Sequence, residues 1–292
     1  MLSGKASHKE IILSFVDRYI HHLSQPWSIR TRSIRKLLRH ANIGSFEARL
    51  RAGAVLRPHY AMCLYYAALQ AKRLGHRAMT AVELGVAGGS GLLCMSEHAR
   101  TIQKELGVEI VVIGFDAGAG LPETSDPRDV KYYWSAGAFP MDQPALRSRL
   151  AGKAELIIGD VADTCPNWYP QADAPLGVIS FDLDLYSSTM AAFSLLEKDN
   201  VLPRIWCYFD DITDQPESCL TDFVGEAAAI EDFNRMPKRK VLGDNLSQAR
   251  VFGGYPVSES WHSKIYIYHR FTHPHYNTSV YDRSSEAQLA LT

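Results

Sequence analysis

The chain of 292 residues lacks the features of a membrane-spanning or secreted protein. No apolar run approaches the roughly 20 residues that cross a bilayer. The polar residues His8, Lys9 and Glu10 precede a short amphipathic segment, which is not the pattern of a signal peptide. The five cysteines form no CxxC pair, and an odd number of scattered cysteines is typical of reduced thiols. The sequence therefore predicts a cytoplasmic protein without a membrane segment.

An excess of charge of either sign is also lacking. The chain has 31 Lys and Arg against 32 Asp and Glu, for a formal net charge of -1. Such a balance gives no basis for binding nucleic acid or an anionic membrane surface. The length fits one large domain, or one domain with a helical extension.

Apolar residues recur at helical spacing in the first part of the chain. We predict helices over residues 8–23, Ser33–His40 and His59–Leu74, and we interpret residues 1–77 as an N-terminal helical cap. The arginine-rich segment 30–39 has two interpretations, a solvated helix face or a contact with an anionic partner or subunit. Because exposed apolar helix faces need a cover, these helices also predict a homo-oligomer.

Strand and helix patterns alternate from residue 78 onward. Short apolar runs joined by helices predict an α/β fold with a doubly wound, mostly parallel sheet over residues 78–272, followed by a polar, loosely packed tail over 273–292. The seven predicted strands are Thr80–Val86, Glu109–Asp116, Ala154–Gly159, Gly177–Leu183, Ile205–Asp210, Lys240–Leu242 and Lys264–Phe271. The predicted helices of this region are Ser90–Leu106, Gln143–Leu150, Ser187–Lys198 and Cys219–Arg235.

A long irregular connection, Gly118–Met141, interrupts this alternation. It contains four aromatic residues, Tyr132, Tyr133, Trp134 and Phe139, which argue against plain disorder. Because loops of this length in compact domains are usually functional, we predict a lid or a substrate-facing loop.

A glycine-rich turn follows the first predicted strand, in the segment Glu83–Gly91. Its spacing differs from the dinucleotide-binding pattern GxGxxG. Glu83 is suited to accept from an ammonium group, and the N–H groups of the turn are suited to a carboxylate. The alternative is a glycine turn that only packs a strand against a helix.

The next two predicted strands also end in acidic residues. Asp116 follows the apolar run Val111–Phe115, where an acid commonly accepts from ribose hydroxyls, although a helix cap is the alternative. Asp160 follows Gly159, and its carboxylate could accept from an adenine amino group. The pair Asp163-Thr164 fits a cap or a turn.

The strongest chemical signal is a set of carboxylates at two further strand ends. Asp182 and Asp184 follow the strand at Val178–Phe181, and Asp210-Asp211 follow the next strand. Converging carboxylates repel one another unless a cation lies between them, and oxygen ligands favour Mg²⁺. The alternative is that these acids cap the helices that follow.

The motifs VELGVAGGSG, GFDAGAGLP, GDVADT, FDLDLYSST and FDDITD, in this order, resemble the metal-dependent class I S-adenosylmethionine O-methyltransferases. The likeness is closest to the macrocin O-methyltransferase family of antibiotic biosynthesis, and catechol O-methyltransferase is a more distant relative. It covers about residues 83–211. The family's second motif usually reads FDSFEGLP, and the segment Phe115–Pro122 lacks both its aromatic residue and its acid.

The resemblance implies a class I fold of seven strands and a site for each part of the cofactor. Asp116 would hold the ribose. The other implied positions are, for the methionine part, Glu83, Gly85, Val86, Gly88 and Ser90; for the adenine, Asp160 and Val161; and for Mg²⁺, Asp182, Asp210 and Asp211. The metal would hold two neighbouring substrate oxygens and lower a hydroxyl pKa, so that the oxygen attacks the cofactor methyl group.

The resemblance also implies the activity, methyl transfer to a hydroxyl of a small metabolite such as a sugar or polyketide-like compound. Asp182 is the candidate base, and His262, His269 and the pair His59-Tyr60 are weaker candidates. Three alternatives remain open: metal-independent methylation of nitrogen or carboxyl oxygen, a nucleotide-binding oxidoreductase, and a non-catalytic binding protein. The oxidoreductase predicts GxGxxG, which is not the observed spacing.

Overall fold

The computed structural model describes residues 43–250 and 260–280. The strands are β1 (Ala78–Leu84), β2 (Glu109–Asp116), β3 (Glu155–Ile158), β4 (Leu176–Phe181), β5 (Val201–Phe209), β6 (Asn245–Gln248) and β7 (Ile265–His269). The α-helices are α1 (Phe46–Arg51), α2 (Pro58–Arg73), α3 (Ser90–Leu106), α4 (Gln143–Leu150), α5 (Val161–Asn167), α6 (Tyr186–Ala192), α7 (Gly225–Arg235) and α8 (Pro237–Leu242). Short 3-10 turns cover Pro127–Asp129, Phe193–Glu197, Pro216–Ser218 and Ser260–Lys264.

All seven strands form one sheet in the order β3-β2-β1-β4-β5-β7-β6. The strands β1 to β5 are parallel, and β7 is antiparallel to both of its neighbours. The prediction of a seven-stranded, mostly parallel sheet is confirmed. The direction of winding reverses between β1 and β4, and in open α/β sheets ligands bind at the carboxyl ends of the strands beside such a reversal.

Helices cover both faces of the sheet, which confirms double winding. On one face, α2 and α3 pack against alternate strand residues such as Ala81 and Val178. On the other face, α5, α6 and α7 cover residues such as Val82 and Ile179. Helix α2 matches the predicted His59–Leu74, and most of its side chains are buried. The predicted helices at 8–23 and 33–40 lie outside the described residues.

The predicted strand Lys240–Leu242 is wrong. These residues end helix α8, which begins at Pro237 and stops at Gly243 in a left-handed conformation with φ of 73°. The sixth strand, Asn245–Gln248, comes two residues later and has only one buried side chain. Its mostly polar sequence carries little strand signal, because an edge strand needs only one apolar contact with the core.

The beginning of the predicted loose tail is packed against the sheet. Tyr276 accepts at its carbonyl oxygen from Arg204 at 3.0 Å, and its hydroxyl lies 2.7 Å from His269 Nδ1. These contacts extend the ordered chain beyond residue 272, whereas residues 281–292 lie outside the description.

The thiols and the helix lengths can be compared with the predictions from composition. All five cysteines are free, as predicted, and all but Cys219 are buried. Within residues 43–250 and 260–280, no helix combines the length and apolar character that a bilayer crossing requires.

Candidate active site

A cavity of about 430 Å³ opens at the carboxyl ends of the strands. It brings together every residue that the resemblance assigned to cofactor or metal binding: Glu83, Gly85, Val86, Gly88, Ser90, Asp116, Asp160, Val161, Asp182, Asp210 and Asp211. The individual functions of these residues stay predictions, but their convergence in one cavity is a property of the fold.

Gly85 joins the two halves of this cavity. Its φ is 80°, and a β-carbon at this position would lie 1.8 Å from the backbone carbonyl oxygen of Asp182. Asp182 in turn donates its N–H to the carbonyl oxygen of Leu84 at 3.0 Å. The turn after β1 and the end of β4 are therefore in direct backbone contact, which only glycine at position 85 permits.

Glu83 is a buried carboxyl group with one unused oxygen. Its Oε1 accepts from the hydroxyl of Tyr60 on α2 at 2.7 Å. Its Oε2 has no hydrogen-bond partner in the described part of the chain, although the residue is only 2% exposed. Burial raises the pKa of Glu83 to about 8. A cationic group entering the cavity would satisfy this oxygen and favour the ionised form.

Asp116 orders the glycine turn from the neighbouring strand end. Its Oδ2 accepts from the N–H groups of Val86 and Ala87, both at 2.8 Å, and its Oδ1 accepts from Gly118 at 2.6 Å. Two of the turn N–H groups that the sequence offered to a ligand carboxylate are thus already bonded to the protein.

Asp160 caps the helix that follows β3. Its Oδ1 accepts from the N–H of Ala162 at 2.8 Å, at the start of α5. The cap predicted for Asp163-Thr164 is therefore formed by Asp160, while the carboxylate still lines the cavity beside Val161.

Three carboxylates converge at the ends of β4 and β5. Asp182, Asp210 and Asp211 each offer one oxygen, and these oxygens lie within 4.8 Å of one another. Burial, reinforced by neighbouring carboxylates, raises the pKa of both Asp182 and Asp211 well above the usual range. A cation among the three oxygens would offset this repulsion.

Lys264, which the sequence did not single out, already supplies one positive charge here. Its Nζ lies 3.5 Å from Oδ1 of Asp210 and donates to the carbonyl oxygen of the same residue. Tyr208 donates its hydroxyl to the same Oδ1 at 2.6 Å. The outer side of the cluster is therefore partly neutralised by the protein itself.

A second residue missed in the sequence, Glu226, supports the cluster from behind. It lies on α7, is fully buried, and accepts from the N–H of Leu183 at 3.2 Å and of Asp211 at 3.0 Å. One carboxylate thus holds the turns after β4 and β5 together. No local signal could have revealed it, because a Glu in the first turn of a helix is ordinary.

The long loop Gly118–Met141 forms one wall of the cavity, which fits both predicted alternatives, a lid and a substrate-facing loop. Trp134, Ala138 and Phe139 line the cavity together with Ala117 and the turn at 120–122. A β-carbon at Gly120 would lie 2.3 Å from the carbonyl oxygen of Ala138, so the loop packs directly on this turn. Two aromatic side chains of this loop, Trp134 and Phe139, thus line the cavity together with the turn at 120–122.

The loop is attached to the protein on both sides of the cavity. Asp129, fully buried, accepts from the N–H and hydroxyl of Ser187 at 2.7 and 2.9 Å at the start of α6. Farther along, Tyr132 donates to the carbonyl oxygen of Ser218 at 3.0 Å, and Tyr133 donates to Asp214 at 2.9 Å. The loop therefore starts after β2 and is fastened both to the start of α6 and to the segment that follows β5.

The candidate histidine bases do not line the cavity in the part of the chain that the structure describes. His59 stacks on Tyr208 with ring centroids 4.3 Å apart, while its neighbour Tyr60 reaches Glu83. His269 pairs with Arg204 across the sheet, at the opposite end from the strand ends that form the cavity. His262 precedes β7 within the turn at Ser260–Lys264.

Comparison with known proteins gives matches among solved structures. No protein-family model matches the chain, and no curated protein matches it. The calicheamicin methyltransferase CalS11 is 19% identical, with 91% of this chain and 94% of that chain covered and a TM-score of 0.47.

Two further O-methyltransferase structures are similar. One, from Bacillus cereus in complex with SAH, is 14% identical, with 87% of this chain and 96% of that chain covered and a TM-score of 0.38. The other is TomG of Streptomyces achromogenes, involved in tomaymycin synthesis and solved with SAM. It is 14% identical, with coverages of 90% and 98% and a TM-score of 0.39.

Similarities at these identities and scores concern the arrangement of helices and strands and carry no argument about chemistry. The order of the strands, with β7 inserted antiparallel between β5 and β6, is that of class I methyltransferases. The architecture that the resemblance implied, a doubly wound sheet of seven mostly parallel strands, is thereby confirmed.

Proposed function

We propose that the protein is an S-adenosylmethionine-dependent, Mg²⁺-dependent O-methyltransferase that acts on a hydroxyl group of a small metabolite. One observation carries the proposal: a buried, unpartnered carboxylate oxygen in the glycine turn and a cluster of three carboxylates line the same cavity. The first feature suits the amino-acid end of the methyl donor, and the second suits a divalent cation beside the acceptor.

The donor half of the cavity fits the cofactor by its chemistry. Glu83 Oε2 would accept from the ammonium group, which restores the hydrogen bond that burial otherwise denies it. Asp116 keeps the turn in place and would face the ribose, and Asp160 with Val161 would border the adenine. The bound cofactor supplies an electrophilic methyl group.

The acceptor half fits a hard cation. Asp182, Asp210 and Asp211 would hold Mg²⁺, which prefers oxygen ligands of this kind. The bound ion supplies a Lewis acid that lowers the pKa of a substrate hydroxyl. We assign to Asp182 a second function as proton acceptor, because it lies on the seam between the halves. The contact of Gly85 with Asp182 would hold the donor and acceptor halves of the cavity at a constant separation. In-line methyl transfer depends on that separation.

Calorimetry with S-adenosylmethionine and S-adenosylhomocysteine tests the donor half. We expect both to bind wild type, and Asp116→Ala to weaken binding because the turn loses three hydrogen bonds. Asp173→Ala, an exposed turn residue, is the matched control. Absence of any binding to wild type would refute the proposal.

Turnover against a panel of hydroxylated sugars and polyketide-like compounds tests the acceptor half. We expect activity that EDTA removes and Mg²⁺ restores, and that Asp210→Ala abolishes while cofactor binding is retained. The alternative is a metal-independent methyltransferase acting on nitrogen or carboxyl oxygen. The ammonium group of Lys264 beside Asp210 favours it, because this cation offsets part of the acidic charge without a metal. Activity insensitive to EDTA would select that alternative.

A further inference from the structure

Arg57 is the residue immediately before α2, and it lines the cavity. Its backbone has φ of 40° and ψ of 66°, a left-handed conformation that is uncommon for a residue with a side chain. Its Nη2 donates to the hydroxyl of Ser90, the first residue of α3, at 3.0 Å. The guanidinium group therefore lies over the glycine turn and lines the cavity wall.

The charge of Arg57 is not matched by a contacting acid. Of the described residues that line the cavity, only Arg57 and Lys264 are basic. Lys264 lies 3.5 Å from a carboxylate oxygen of Asp210. Within residues 43–250 and 260–280, no carboxylate lies at ion-pair distance from Arg57, and its bonded partner Ser90 is neutral.

Several N–H groups of the glycine turn already have acceptors within the protein. The N–H groups of Val86 and Ala87 donate to Asp116, and that of Gly89 donates to the carbonyl oxygen of Val86 at 2.8 Å. A carboxylate that arrives at the turn therefore finds several of its N–H groups already bonded. The Ser90 hydroxyl and the Arg57 guanidinium offer further donors beside the turn.

Glu83 places a carboxylate beside the residue that follows Ser90. A β-carbon at Gly91 would lie 1.9 Å from Glu83 Oε1, so this carboxylate touches the residue next to Ser90. The acidic and basic groups thus flank consecutive residues at the start of α3. An α-amino acid carries its ammonium and carboxylate groups on one carbon atom and matches this arrangement.

We propose that Arg57 binds the carboxylate of the cofactor's methionine part, while Glu83 binds its ammonium group. This inference rests on the proposed function and adds a specificity residue to it. Since Tyr60 on α2 also donates to Glu83, the segment from Arg57 to Tyr60 becomes part of the cofactor site. The site would then recognise both charged groups of the amino-acid end, the carboxylate through Arg57 and the ammonium group through Glu83.

The test compares three ligands by calorimetry: S-adenosylmethionine, its decarboxylated form, and 5′-methylthioadenosine, which lacks the amino-acid end. We expect wild type to prefer S-adenosylmethionine over the decarboxylated form by about tenfold or more, as for a charged hydrogen bond. Arg57→Gln should reduce this preference to about twofold or less while leaving affinity for 5′-methylthioadenosine unchanged. Arg57→Lys should restore part of the preference, because the charge is kept without the planar fork.

Lys264→Gln is the matched control, since it removes the other cation of the cavity and should keep the preference. Thermal denaturation of each variant, without ligand, verifies folding. An unchanged preference in Arg57→Gln overturns the inference, and so does equal binding of the two forms by wild type. Failure of wild type to bind any of the three ligands refutes the proposed function itself.

Discussion

The backbone carbonyl oxygen of Asp182 lies where a side chain at Gly85 would have to begin, 1.8 Å from the position of a β-carbon. Gly85 belongs to the turn assigned to the methyl donor, and Asp182 to the acidic cluster assigned to the metal. The two halves of the cavity are therefore joined through the backbone. A substitution in the glycine turn is therefore expected to disturb the acidic cluster as well.

Gly85→Ala is expected to damage both halves at once. The substitution places a β-carbon against backbone atoms that cannot rotate away, at a positive φ. We expect the free energy of unfolding to fall by at least about 2 kcal/mol, with loss of cofactor binding, measured by urea denaturation and calorimetry. Gly88→Ala is the control, because its added carbon would meet nothing within 4 Å and it should retain wild-type stability. Equal stability of the two variants would contradict the prediction.

Glu226→Gln is expected to weaken metal binding although it replaces none of the three proposed metal ligands. The glutamine has one acceptor oxygen, so its amide group would face one of the two N–H donors, on Leu183 or Asp211. Loss of such support typically weakens metal affinity by about 10-fold or more. Titration with Mn²⁺, followed by electron paramagnetic resonance, measures this effect.

Glu231→Gln, on the exposed side of the same helix α7, serves as the control for Glu226→Gln. The affinity for S-adenosylhomocysteine should stay within about twofold of wild type in both variants. A fall in that affinity equal to the fall in Mn²⁺ affinity would indicate general loss of structure rather than support of the cluster.

Glu83 is expected to make stability depend on pH. Its pKa is about 8 in the fold and near the ordinary 4.5 when unfolded, so the folded state holds a proton that the unfolded state has released between these values. The free energy of unfolding therefore falls as the pH rises through this window. Each pKa unit corresponds to about 1.4 kcal/mol, so the full effect is a few kcal/mol.

The comparison for Glu83 uses urea denaturation of wild type, Glu83→Gln and Glu97→Gln at pH 6 and pH 8.5, without ligand. Glu83→Gln should lose less stability than wild type between the two pH values, because it has no buried proton to release. Glu97 is exposed on α3, and its variant should behave as wild type. A wild-type slope in Glu83→Gln would show that other buried acids account for the whole effect.

The loop Gly118–Met141 is expected to become more mobile when the hydrogen bonds of Tyr132 and Tyr133 are removed. The double variant Tyr132→Phe, Tyr133→Phe loses the hydrogen bonds to Ser218 and Asp214. We expect faster amide hydrogen exchange over residues 130–139, with little change in the melting temperature, because both hydroxyl groups lie at the surface. Mass spectrometry of the exchanged peptides measures it, and Tyr169→Phe, another exposed tyrosine, is the control. Unchanged exchange in this loop would contradict the prediction.

The sequence was most informative where local pattern and chemistry coincide. Buried strands that end in Asp116, Asp182 and Asp210 combine an apolar run with an acid, and parallel strand ends necessarily meet at one edge of the sheet. For this reason the sequence alone could assign these acids to a ligand site at the strand ends. The turn of Glu83–Gly91 carried a similar signal in its glycine spacing.

Residues that reach the site from distant segments gave no such signal. Arg57 precedes a helix that looked like a cap, and Glu226 lies in an ordinary first helical turn. Lys264 ends the turn that precedes the last strand. Only long-range packing brings Arg57 and Lys264 to the cavity and Glu226 to the back of the acidic cluster. The error at Lys240–Leu242 has a related cause, since a short edge strand and a short helix differ little in local pattern.

The acidic lining of the cavity has a consequence for the end of the catalytic cycle. Eight acidic and two basic residues are among the described residues that line it. Under the proposed function, methyl transfer removes the positive charge on sulfur, so the by-product is less cationic than the donor. The electrostatic attraction that draws the donor in therefore weakens at the moment of reaction. The acidic lining therefore favours binding of S-adenosylmethionine over its demethylated by-product. This difference in affinity should diminish as the ionic strength rises.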